Sequence, residues 1–253
     1  MTQANITQAP RHERIALVLA AAGAVSVLLL LPYVLSLAPP AVVHALPSLP
    51  VFAAMQFVQA FALFALAAWA GLRLGCAYGL DAPLLRRALE NKSHGTIATN
   101  WIAALGLGAA VGGICILLAP LLPIPSAAMN QPVWWKGLLA SFYGGIGEEV
   151  LCRLLLVSVL VWIGARLTRA RPPRAAIYTT AIVLAAILFG AAHLPQLVLL
   201  TGALNFAAAS SVIALNALCG IAFGWLFWRY GLEHAIVAHF SADLVLHVAT
   251  ALL

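Results

Sequence analysis

Charge is what this chain lacks. Its 253 residues include 13 Lys and Arg and 7 Asp and Glu, 8% charged in all, against 64% hydrophobic residues. A soluble domain carries about 25% charged residues, so this composition cannot cover a water-exposed surface of ordinary size. Several apolar runs exceed eighteen residues, and none keeps the strict alternation of a barrel strand. A β-barrel is thereby excluded. What remains is an all-α fold, a polytopic transmembrane helical bundle. Cysteine is scarce as well. Cys76, Cys115, Cys152 and Cys219 stand apart with no CxxC pair, so they read as buried thiols rather than a metal knuckle or a disulfide framework. There is no HExxH pair to fix two zinc ligands on one helix. No internal repeat is apparent either, which weighs against an inverted-repeat transporter.

About seven spans are expected: Ile15–Leu37, Val51–Gly71, Trp101–Leu122, Leu138–Ala165, Ile177–Leu200, Phe206–Trp228 and Leu232–Leu252. Gly108 and Gly112, and Gly220 and Gly224, place small residues four apart, as close helix packing in lipid requires. The net charge of +6 is not a nucleic-acid patch. Eleven of the thirteen basic residues fall in the tail or loops of one side, Lys136 falls on the other, and Arg153 lies within a span. That is the positive-inside pattern, with the N-terminus cytoplasmic and the C-terminus outside. The first apolar run is 23 residues long and is followed by Pro39-Pro40, which reads as an uncleaved anchor and not a signal peptide. The chain divides into a cytoplasmic tail over 1–14, N-terminal helices with a cytoplasmic loop over 15–122, and a second membrane domain over 138–252, which the resemblance given below implies is catalytic. Within the loop, Asp81 is placed to cap a short helix that starts near Pro83 and lies at the interface.

Against this background three charges are conspicuous. Glu148, Glu149 and Arg153 sit in the fourth span, where together they oppose insertion by roughly 7–10 kcal/mol. The fourteen Leu, Ile, Val and Phe residues from Leu138 to Ile163 return only about 0.3–0.6 kcal/mol each. Such charges need partners. Glu149 and Arg153 are spaced i, i+4 and can neutralise each other on one face, a structural clamp. Glu148 points about 100° away and must meet something outside its own helix. His193 lies in the fifth span, just before Pro195. His239 and Asp243 lie i, i+4 in the seventh, with His247 one turn further. Two imidazoles and two carboxyl groups, all needing partners away from water, can surround a carbonyl and a water. Their depths disagree, however. Straight helices put His193 about 24 Å in and His239 about 10 Å in at 1.5 Å per residue, so tilt, a break near Pro195 or a shifted boundary must reconcile them. The fifth helix is expected to end at His193, with Leu194–Gly202 partly non-helical.

EExxxR on one helix, FxxxH on the next and HxxxD on a third resemble the CPBP family, the intramembrane proteases related to type II CAAX prenyl endopeptidases and to bacteriocin-processing and immunity proteins. The resemblance covers Leu138–Leu252. It implies a membrane-embedded endopeptidase with Glu148 as general base on water beside His193. His239 and Asp243 would then stabilise the oxyanion, with Glu149 and Arg153 in support. The same family also carries the name metalloprotease. The cofactor is therefore either none or a divalent metal such as zinc, held by Glu148, His193, His239 and Asp243. One departure matters: the prenyl endopeptidases have Asn where this chain has Asp243. An ionised Asp cannot donate to an oxyanion, so Asp243 must act protonated or as a ligand. The implied partners are the lipid bilayer and a peptide or membrane-protein substrate, with no nucleic acid. The dominance of Arg over Lys and the abundance of Ala point to a bacterial, inner-membrane protein. A non-catalytic immunity or scaffold protein and a transporter using the buried Glu, His and Asp are the alternative readings.

Overall fold

The computed structural model describes residues 12–90, 97–125, 132–169 and 173–252. It is 87% helical, and the described residues include no strand. Seven helices are long and apolar enough to cross a membrane: His12–Leu37, Leu49–Tyr78, Trp101–Leu121, Trp134–Thr168, Ala175–Thr201, Phe206–Tyr230 and Leu232–Leu252. The expected all-α polytopic bundle is what forms. The boundaries differ from the expected ones where polar residues end an apolar run without ending a helix. The first span already begins at His12, the second runs past Arg73, and the fourth extends to Thr168. Hydropathy marks the lipid edge, whereas a helix stops only where its backbone must. Most of the expected 1–14 tail, Lys92 and Arg171 lie outside the described residues.

The fourth span is the centre of the bundle, packing against the first, second, fifth, sixth and seventh, while the third packs on the sixth and seventh. Small residues allow this. A Cβ at Gly108 would collide with the Ala238 backbone, and one at Gly220 would meet Ala186 at 2.9 Å. Close packing is thus the role of both glycine pairs, and it is how lipid-embedded helices associate without a hydrophobic driving force.

One end of the bundle is tied by a short helix, Pro83–Glu90. Asp81 accepts the Ala82 N–H at 2.8 Å and Arg86 Nε at 2.6 Å. The cap itself comes from the seventh span, where Glu233 Oε1 accepts the Leu85 N–H at 2.9 Å. The Asp81 carbonyl accepts the Leu232 N–H at 3.0 Å. Gly231 makes the approach possible, because its φ of 92° is left-handed and a Cβ there would strike Pro83. Leu85 and Leu89 pack on the bundle core.

This tie sets the level of the fourth span against the seventh. Gly75 lies against both Ser158 and the Leu80 carbonyl, so the fourth helix passes the Leu80–Leu232 level at Ser158 and overshoots it by the stretch to Thr168. Glu149 lies nine residues before Ser158, and His239 seven residues after Leu232, so the two come to a similar level. The fifth span breaks as expected at His193, but Leu194–Thr201 is helical, not irregular. Pro195 explains both facts. Its ring cannot continue the preceding helix, yet it is well placed in the first turn of a new one.

Candidate active site

Near the site the fourth span is wound unusually. Tyr143–Glu148 and Val150–Val157 are π-helical, with Glu149 between them. Widened turns of this kind are frequent at functional sites. Gly144 and Gly145 make the first stretch thin on the side of the seventh span. A Cβ at Gly144 would press on Asp243 Oδ2 and lie 3.1 Å from His239 Nε2. The missing side chain is the space that the seventh span's polar groups occupy.

Glu149 and Arg153 are almost wholly buried, their side chains 0% and 2% exposed, and Glu149 Oε1 lies 3.0 Å from Arg153 Nη1. The guanidinium lies 4.9 Å from the Phe189 ring centre and 5.3 Å from that of Phe223. Its Nη2 donates to the Gly220 carbonyl at 3.4 Å. A buried cation is thus neutralised by one carboxylate and flanked by two rings, each contributing cation–π attraction. The same Glu149 Oε1 accepts from His239 Nδ1 at 2.7 Å. The pairing of Glu149 with the seventh span was not legible from spacing, which reveals only partners on one helix. His239 also stacks on Phe223, with ring centres 4.6 Å apart. Held on one edge and one face, this imidazole has its orientation set.

Its other nitrogen faces two further carboxylates. His239 Nε2 lies 3.6 Å from Glu148 Oε2 and 3.7 Å from Asp243 Oδ1. Both separations exceed a hydrogen bond. Glu148, 22% exposed, therefore does find its partner on another helix. Asp243 Oδ1 lies 4.0 Å from His247 Nε2, and the His247 ring meets Tyr33 of the first span edge-on at 5.7 Å. Neither Tyr33 nor His247 was among the expected site residues. His247 is legible as one more helical turn beyond Asp243, whereas nothing in the sequence marks Tyr33.

His193 approaches the cluster from the fifth span. At the helix break its N–H bonds to Gly190 instead of continuing the α-helical pattern, and the Phe189 carbonyl is taken by His193 Nδ1 at 2.9 Å. A carbonyl only accepts, so Nδ1 carries the proton and Nε2 has the lone pair. The Phe189 ring lies between the two imidazoles, 4.8 Å from His193 and 5.9 Å from His239. The structure therefore joins Glu148, Glu149, Arg153, His239 and Asp243 directly, and joins His193 to them through Phe189. Among the described residues no group of three or more His, Cys, Asp and Glu side chains is placed to hold a metal ion. Glu148, His193, His239 and Asp243, the residues expected to hold a divalent metal, are not gathered about one point in this placement.

Fold and site together define an integral membrane protein with a carboxylate–imidazole cluster between its helices. Residues 130–245 match the family described as type II CAAX prenyl endopeptidase Rce1-like. The matched segment runs from before the fourth span into the seventh and is similar to that family, in line with the resemblance drawn from the three motifs. The family supports a CAAX-type intramembrane endopeptidase in general, and with it a peptide or membrane-protein substrate. No curated protein and no solved structure matches the chain significantly.

Proposed function

We propose that this protein is an intramembrane endopeptidase that hydrolyses a peptide bond of a membrane-associated or peptide substrate with a water activated by Glu148. The observation that carries the reading is His239. Glu149 holds one of its nitrogens at 2.7 Å, and Glu148 and Asp243 face the other at 3.6 and 3.7 Å. Glu148 takes the proton of the attacking water, and His193, with its Nε2 lone pair, assists from the fifth span. The carbonyl oxygen becomes an oxyanion. His239 Nε2–H in the imidazolium form and the Asp243 carboxyl in its acid form donate to it. Glu148 then returns its proton to the departing amine. Long separations suit a site without substrate, because catalytic hydrogen bonds tighten when the substrate arrives. Glu149 and Arg153 touch no reacting atom in this scheme; they orient His239. No step runs through a metal.

Asp243 gives the test. Asp243→Ala removes an oxyanion donor and lowers kcat by about 10²–10³-fold. Asp243→Asn supplies an N–H in its place and stays close to wild type. Rates for the three proteins on a peptide library, with and without chelator, check both donor and metal. An Asn variant as inactive as the Ala variant refutes the donor role. Activity lost to chelator and restored by zinc reverses the metal-free reading.

We also place the protein in a bacterial inner membrane with the N-terminus cytoplasmic and the C-terminus outside, on the one-sided distribution of its arginines. Single cysteines introduced for labelling are expected to react from the cytoplasm between Arg166 and Arg174 and from outside between Pro123 and Trp135. The opposite labelling pattern inverts the orientation.

A further inference from the structure

Two buried thiols that the proposed reaction does not use meet between helices. Cys115 on the third span and Cys219 on the sixth are 104 positions apart in the chain, yet their sulfurs are 3.6 Å apart. Both are free and buried. The third span is held tightly here, because Gly112, just before Cys115, lies against Ala242 of the seventh. A disulfide needs its sulfurs about 2.05 Å apart, so bond formation requires an approach of about 1.5 Å, within reach of side-chain rotation and a small helix shift.

We propose that Cys115 and Cys219 are a reversible disulfide site that links the third and sixth spans. The oxidant is of the hydroperoxide class. One thiolate attacks the peroxide oxygen, giving a sulfenic acid and an alcohol. The second thiolate attacks that sulfur and expels hydroxide, which leaves as water. Two S–H bonds are lost, one S–S bond forms, and the O–O bond is reduced. The buried position between two spans favours an apolar, membrane-soluble peroxide over a bulky charged disulfide as the oxidant. Cys115 lies fourteen residues, about 21 Å, along its helix from Trp101. In the orientation proposed above, that is the outer half of the membrane, facing the oxidising compartment. The link has a route to the site as well, because Cys219 precedes Gly220, whose carbonyl accepts Arg153 Nη2.

The test treats purified protein in detergent with cumene hydroperoxide. The intact mass should fall by two hydrogens, and digestion should release a dithiothreitol-sensitive peptide pair containing Cys115 and Cys219. Thermal unfolding should shift up by several degrees, since the bond closes a loop of about 100 residues. Cys115→Ala and Cys219→Ala should each abolish all three changes, whereas Cys76→Ala and Cys152→Ala should retain them. Two variants on the pair guard against a folding defect in either one. Unlinked Cys115 and Cys219 peptides after oxidation overturn the proposal, as does a link from either residue to Cys76 or Cys152. None of these readouts needs peptide cleavage, so failure of the endopeptidase reading would be seen separately.

Discussion

Glu148→Gln abolishes peptide cleavage and leaves the protein folded. A positioned general base contributes about 10²–10⁴-fold, and the amide of Gln keeps the shape of the side chain while losing the capacity to take a proton. Folding should survive because Glu148 does not neutralise Arg153. Its side chain is 22% exposed, and His239 Nε2 faces it at 3.6 Å. The measurement is paired: initial rates on a cleaved peptide, and thermal unfolding in the same detergent. Wild-type rates in the variant would sink the assignment of Glu148 as base. An unfolded variant would show instead that Glu148 carries structure, as Glu149 does.

Glu149→Gln has the opposite profile. Removing one partner of a buried ion pair costs about 3–5 kcal/mol, because the other charge stays behind. Here the stranded group is Arg153, 2% exposed and held between Phe189 and Phe223. The same change weakens the charge-assisted bond that orients His239 Nδ1. Expression and thermal stability should therefore fall sharply, with activity lost as a consequence. A double variant, Glu149→Gln with Arg153→Met, removes the stranded cation and should recover part of the stability without the activity. Unchanged stability of Glu149→Gln would mean that Arg153 is neutralised by something other than this carboxylate.

The contrast between two adjacent glutamates shows where sequence reasoning succeeds and where it stops. Helical geometry alone separates their environments, and the i, i+4 spacing alone pairs Glu149 with Arg153. Spacing is blind to other helices. It did not reveal that the Glu149 oxygen facing Arg153 also holds His239, that Gly144 is the gap into which Asp243 and His239 fit, or that Tyr33 of the first span reaches His247. Nor did it reveal the hydrogen bond of His193 to its own helix. In the structure, the break before Pro195 frees the Phe189 carbonyl, and His193 turns to it.

The sequence by itself determined the class of this protein. Composition and run length demand spanning helices because backbone polar groups have no water to bond to in lipid, and a row of arginines on alternate loops carries the topology signal. Motif order was enough for the Rce1-like resemblance, because each motif is local to one helix. The tertiary structure alone decided which charges meet. Where Ser158 passes the Leu80–Leu232 level sets how far the fourth helix slides against the seventh, and one helical turn of slip, about 5.4 Å, would separate Glu149 from His239. That registry comes from glycine contacts and from the Asp81–Leu232 and Glu233–Leu85 bonds, which join residues far apart in the chain. No periodicity within a single helix can encode it.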